Sequence, residues 1–239
     1  MHPGSIPGEA SNKFLKALSM VDFTQARRMM VDGQLRTFDV NDFPLLDAMD
    51  SVPREVFVLP GREGLAYIDQ DVLVSESGEP RYMLSPMILG RMLQALGIDA
   101  GERVLDVAGG RGYAAAVLRR LGAKVTTLEA DEDLASAARR CLSLAGSDDV
   151  AVVTGPLDQG YAANGPYDAV LVNGAVEVRP ENLLGQLADG GRLVCVKGRG
   201  RAARATLYVR SGEAIGERSL FEAAAPLLAP FVQPAGFTF

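Results

Sequence analysis

Residues 102–131 read ERVLDVAGGRGYAAAVLRRLGAKVTTLEAD. The pattern is strand, glycine-rich turn, helix, strand, acid. Val104 and Leu105 lead into Asp106, and Gly109, Gly110, Arg111 and Gly112 follow after Val107 and Ala108. A helix-prone run spans 113–121, and the β-branched run 125–127 leads to Glu129. Small residues let a ligand approach the backbone closely, and free amides at a helix start attract negative charge. An acid ending the second strand can hold both hydroxyls of a ribose. The stretch therefore predicts a nucleoside-binding βαβ unit.

Three readings of the turn compete. Gly110 to Ala115 fits a loose GxGxxG/A pattern, which by itself is a weak sign of NAD. Asp106, four residues before Gly110, argues against a pyrophosphate in the turn, because the two would repel. An acid there suits S-adenosylmethionine, which has no phosphate and carries a cationic amino group and a sulfonium. About a hundred residues precede the turn, and the only histidine is His2, so no downstream histidine exists for hydride-transfer chemistry. The third reading is a structural turn with no ligand. S-adenosylmethionine is the expected cofactor, with S-adenosylhomocysteine as product.

Composition narrows the class. The chain has 239 residues, 48% of them hydrophobic, enough for a sizeable core. A net charge of −6 and a pI near 4.9 argue against bulk nucleic-acid binding. The local basic group Lys197, Arg199, Arg201 and Arg204 reads as a solvated loop and strand edge. Cys141 and Cys195 lie far apart without metal-ligand spacing, so no metal site is expected. No apolar run approaches the ~20 residues of a membrane span. The N-terminus lacks the apolar core of a secretion signal, which makes the cytoplasm the expected location. Oligomeric state is not legible.

Working outward from the turn, residues 1–18 read as a flexible leader, 19–100 as a helical cap with a substrate-side segment, and 101–239 as the α/β unit. The cap is expected to hold helices at 23–35, 40–49 and 85–96, an extended entry at 52–57 and short strands at 66–68 and 72–74. Beyond residue 101, strands are expected at 104–107, 124–128, 150–153, 169–172 and 192–196, with helices at 113–121, 132–144 and 181–187. This alternation predicts a Rossmann-like α/β fold: a mostly parallel sheet with helices on both faces. Late strands at 206–210 and 231–239 would add an antiparallel pair. Ligands of such sheets lie over the carboxyl ends of the strands, here Asp106, Glu129, Thr154-Gly155 and Asn173-Gly174.

The N-terminal half carries a further pattern. Met30-Val31-Asp32-Gly33-Gln34-Leu35 is followed by Val52-Pro53-Arg54-Glu55-Val56-Phe57-Val58, Ala66-Tyr67-Ile68-Asp69 and Ser85-Pro86 before a helix. Together with the glycine turn, this order resembles the protein-L-isoaspartate O-methyltransferase family over about residues 23–198. The resemblance implies a class I methyltransferase sheet with a helical cap over the cofactor cleft, and carboxyl O-methylation of isoaspartyl residues in a protein or peptide. By position, Asp106, Gly110, Gly112 and Tyr113 would line the methionine part of the donor, Glu129 would take the ribose hydroxyls, and Ala108 and Gly155 complete the donor-binding set.

Some positions depart from the family pattern. Leu84 stands where the family has an active-site serine, Tyr82 stands at its threonine, and Ser85 is one residue late. Ala108 replaces the first glycine of the turn, and Gly155-Pro156-Leu157 replaces Gly-Asp-Gly, with Asp158 nearby. A carboxylate acceptor needs no general base, only positioning and a donor to its second oxygen. Tyr82 or Ser85 is expected to provide that hydroxyl, with Arg81 drawing in the anion, while Arg54 reads as a structural pin of the cap. Two alternatives stay open: a different small-molecule or protein acceptor, and a non-catalytic relative that binds the donor.

Overall fold

Strands of the second half alternate their side chains between two apolar layers, as a period of two requires. Val104, Ala169, Leu171, Val194 and Val196 enter one buried cluster, while Leu105, Val107, Val170, Val172, Leu193 and Cys195 enter the other. A computed structural model describes residues 22–76 and 78–233 of the chain. The leader expected over 1–18 and most of the strand expected over 231–239 lie outside them.

The cap comprises α1 (Phe23–Met30), α2 (Phe43–Ser51), a two-stranded ladder of β1 (Val72–Leu73) with β2 (Tyr82–Met83), and α3 (Pro86–Leu96). Asp22 and Asp42 cap α1 and α2 by accepting from the amides three residues on. The main body follows as β3 (Arg103–Val107), α4 (Tyr113–Arg120), β4 (Lys124–Glu129), α5 (Glu132–Leu144), β5 (Ala151–Thr154), β6 (Tyr167–Val176), α6 (Glu181–Leu184), β7 (Leu187–Lys197), β8 (Arg204–Ser211) and β9 (Ala214–Glu222).

These strands form one sheet in the order β5-β4-β3-β6-β7-β8-β9. Pairing is parallel from β5 to β7 and antiparallel for β8 and β9. The winding reverses between β3–β4 and β3–β6, which opens a crevice at the carboxyl end of β3. Cap residues Met30, Leu35, Met49 and Phe57 belong to the same buried cluster as Val104 and Val194, so cap and sheet share a core.

Several expected elements differ. The first helix leaves α geometry at Met30 and continues as a π turn over Val31–Leu35. Of the entry expected to be extended over 52–57, only Val52 and Pro53 are so; Arg54–Phe57 form a 3₁₀ turn. Residues 66–68 form a turn rather than a strand, and the buried Arg54 takes the Ala66 carbonyl through Nε at 2.6 Å. The late antiparallel pair exists, but its second member is β9 rather than 231–239. Phe231 instead ends a 3₁₀ turn. β9 is a mostly exposed edge strand of sequence AIGERSLFE, with too few apolar residues to announce itself.

Candidate active site

The turn after β3 is built by what lies beneath it. Asp106 pairs in register with Thr127 of β4. Its carboxylate accepts from Thr127 Oγ1 at 2.8 Å and from Asn173 Nδ2 at 2.6 Å. A Cβ at Gly109 would fall 2.0 Å from Thr127 Oγ1 and 2.4 Å from Asp106 Oδ2, so only glycine fits over this pair. Gly112 turns the chain into α4 at φ 97°, a left-handed conformation natural to glycine. Ala108 also sits in the left-handed region, at φ 57°.

Asp106 is therefore not at the crevice rim. It is 0% exposed, and burial, aided by the nearby Glu129 and opposed by the Asn173 and Thr127 bonds, pushes its carboxyl up to about 7. The expected convergence of Asp106 and Glu129 on opposite ends of one ligand is replaced by a division of labour. Asp106 braces the turn from below, and Glu129 faces the turn amides.

Glu129 ends β4 and is 1% exposed. Its Oε1 accepts from the Gly110 amide at 2.6 Å, and its Oε2 from the Ala130 amide at 3.2 Å. Arg81 Nε lies 3.1 Å from Oε1. Burial pushes the Glu129 carboxyl up, while Arg81 and the two amides pull it back. Arg81 immediately precedes β2, and its backbone amide is held by Ser75 Oγ at 3.0 Å.

Beside Glu129 lies a crevice of about 510 Å³. Arg81, Ala130, Asp131, Leu157 and the segment Leu227, Ala229 and Pro230 line it. A narrower crevice of about 10 Å³ adjoins the turn, with Tyr82, Leu84, Gly110, Tyr113 and Asn173 in its wall. Val74 and Arg111 border both.

Of the expected donor-binding set, Gly110 and Tyr113 line the narrow crevice, while Glu129, bonded to the Gly110 amide and paired with Arg81, lines neither. Tyr113 starts α4, its ring 5.7 Å from Phe57 and under the Arg54 guanidinium at 4.6 Å. Arg54 is fully buried and also donates to the Leu84 carbonyl at 2.7 Å, which makes it the pin between cap and turn. Gly112 packs on Leu142, and Ala108 is buried. Gly155 donates its amide to the Glu129 carbonyl at 2.9 Å, and Leu157 reaches the crevice in its stead.

The two hydroxyl candidates part company. Tyr82 stands in the wall of the narrow crevice, whereas Ser85 lines neither crevice. Ser85 occupies the N-cap position of α3, and its amide donates to Asp71 Oδ1 at 2.8 Å.

Sequence reasoning missed Ala130, Asp131 and the Leu227–Pro230 wall. Asp131 carried a legible signal, since it caps α5 through the Leu134 amide at 2.9 Å. The C-terminal wall carried none. It is held by backbone bonds between Ala175 and both Pro226 and Leu228, and Gly174 leaves the room that Leu228 fills. No group of His, Cys, Asp and Glu suited to a metal exists among the described residues.

A cap over a switch-point crevice, a glycine turn and an acid ending the second strand define a Rossmann-like, class I methyltransferase architecture. The model of the family described as protein-L-isoaspartate(D-aspartate) O-methyltransferase matches residues 27–222, and the chain belongs to that family. A protein-L-isoaspartate O-methyltransferase of Roseiflexus castenholzii is 41% identical over 190 residues, covering 80% of this chain and 85% of that protein. One from Methanoculleus marisnigri is 39% identical, over 72% of this chain and 77% of its own length. A solved protein-L-isoaspartate O-methyltransferase superposes with a TM-score of 0.75 at 25% identity, over 85% of this chain and 66% of that one. A Plasmodium falciparum structure, a putative member solved with S-adenosyl-L-homocysteine, shares the fold at a TM-score of 0.70 and 19% identity, over 84% of this chain and 97% of its own.

Proposed function

We propose that this chain is an S-adenosylmethionine-dependent O-methyltransferase that esterifies isoaspartyl carboxylates of proteins or peptides. The observation that carries this reading is Glu129: a buried acid at the carboxyl end of β4, anchored by the Gly110 amide and paired with Arg81, whose side chain, with the adjoining Ala130, lines a crevice large enough for a nucleoside. The residues present fit such a donor. Glu129 has the acceptor oxygens a ribose diol requires, Ala130 and Leu157 provide an apolar wall suited to a planar base, and Gly110 brings the backbone close.

S-adenosylmethionine supplies an electrophilic methyl group on a sulfonium. A carboxylate acceptor is already nucleophilic at neutral pH, so the work left to the chain is orientation and exclusion of water. Tyr82 is the side chain we assign to hold the acceptor's second oxygen, because it stands in the narrow crevice beside Gly110 and Tyr113. Ser85 was the other candidate; its distance from both crevices favours Tyr82. Buried Leu84 at the same wall favours a second reading, with an acceptor more apolar than a peptide.

No helix among the described residues is long and apolar enough to cross a membrane, and a cytoplasmic protein acceptor is consistent with that. The test is methyl transfer to a matched pair of peptides, one isoaspartyl and one aspartyl, read by mass. The reading expects methylation of the isoaspartyl peptide, reduced in Tyr82→Phe with little change in donor affinity. Absence of transfer to either peptide would defeat the isoaspartyl assignment.

A further inference from the structure

Arg81 is paired in a way that leaves both Nη groups of its guanidinium without a protein partner among the described residues. It is 6% exposed and contacts Glu129 through Nε alone, 3.1 Å from Oε1 and 3.3 Å from Oε2. Among the described residues neither Nη takes a hydrogen-bond partner, and the side chain lines the large crevice. Glu129, by contrast, is close to saturated. Its two oxygens offer about four lone-pair sites. The Gly110 amide, the Ala130 amide and Arg81 Nε already draw on them. A ribose diol adds two further donors, more than the remaining capacity, so donor and Arg81 compete for one carboxylate.

Displacing Arg81 has a consequence. A guanidinium only 6% exposed is costly to leave without a counter-charge. Its planar fork is matched to a carboxylate, which it can grip with two parallel bonds. Two other cations line this crevice: Arg111 faces Glu76 at 3.6 Å, and Arg140 stands on α5, away from Tyr82 in sequence. Arg81 is bonded in sequence to Tyr82, which stands in the narrow crevice beside Gly110.

We propose that Arg81 exchanges one carboxylate for another: it neutralises Glu129 until a donor ribose takes that acid, and then binds the acceptor carboxylate. Resting on the carboxyl-methyltransferase reading above, this makes Arg81 an acceptor-positioning residue and orders binding with donor first. The coupling is reciprocal in equilibrium binding: an acceptor that captures Arg81 also tightens the donor.

The test pairs two measurements on the full chain carrying Arg81→Met, with Arg81→Gln as the substitute should the first fail to fold. Calorimetric titration with S-adenosylhomocysteine should show binding about tenfold tighter than wild type, within the range of ordinary site–site coupling. With donor saturating, KM for an isoaspartyl peptide should rise about tenfold while kcat changes little. Opposite movement of the two affinities is the signature, since a merely structural arginine would weaken both. Unchanged or weaker binding of S-adenosylhomocysteine by both variants would overturn the exchange. Failure of the wild type to methylate any peptide would instead count against the function proposed above, and the titration would still decide whether Arg81 and the donor compete.

Discussion

Replacing Asp106 by asparagine tests the division of labour between the two acids. The Asp106 carboxyl is fully buried and pushed up to about 7 from an ordinary 3.8, chiefly by burial. Between those values the folded chain keeps a proton that the unfolded chain has released, so stability falls as pH rises through the window. At about 1.4 kcal/mol per pH unit, the interval from pH 5 to about 7 costs roughly 3 kcal/mol. Above about 7 the loss is complete and flat. Asparagine keeps the shape and both bonds: Asn173 Nδ2 can still donate to Oδ1, and Thr127 Oγ1 can accept from the new amide. Guanidinium unfolding at about pH 5 and pH 8.5 should therefore show Asp106→Asn gaining roughly 3 kcal/mol on the wild type between the two. Parallel pH profiles for the two proteins would refute the reasoning, because Asp106 would then be ionised in the fold at no cost and could not be buried beneath the turn.

Two other outcomes follow from the geometry. Ala108→Gly relieves a left-handed alanine at φ 57° and should stabilise the chain by about 1 kcal/mol in thermal or denaturant unfolding. Arg192→Met removes a two-pronged, partly buried pair with Glu102, at 2.7 and 2.8 Å, together with bonds to the Leu96, Gly97 and Asp168 carbonyls. Unfolding should show a loss of about 2–3 kcal/mol near neutral pH. Arg192 holds the Glu102 carboxyl below its ordinary 4.5, so this pair's contribution is present above that value and disappears as pH falls through the lower folded one. A variant whose deficit does not shrink in acid would contradict that account.

The part of the fold that rests on local periodicity was legible. The helix at 132–144 is α5 to the residue, and β3, α4 and β4 fall within a residue of their expected ends. What depended on register was not. Nothing in the spacing of Asp106 shows that Thr127 and Asn173 lie against it, because that follows from β3 pairing with β4 and β6. The acid therefore looked like a rim residue when it is a brace. Arg81 was legible as a cation near the cleft, but its pairing with Glu129 spans 48 positions and needs the cap to fold over the turn. The Leu227–Pro230 wall was illegible for a different reason. It joins the sheet through a single isolated bridge at Ala175, which leaves no alternating pattern to read. Arg54 was the opposite case: it read as a structural pin of the cap, and it bonds the Ala66 and Leu84 carbonyls.

The central claim is that the acid ending β4 holds the donor's ribose. Calorimetric titration of S-adenosylhomocysteine into wild type and Glu129→Gln tests it most directly. The account predicts saturable binding to the wild type, weakened about 10- to 100-fold in the variant, as expected when hydrogen bonds to a charged acceptor are replaced by bonds to a neutral one. Equal affinity in the two proteins, or no binding by the wild type, would contradict it.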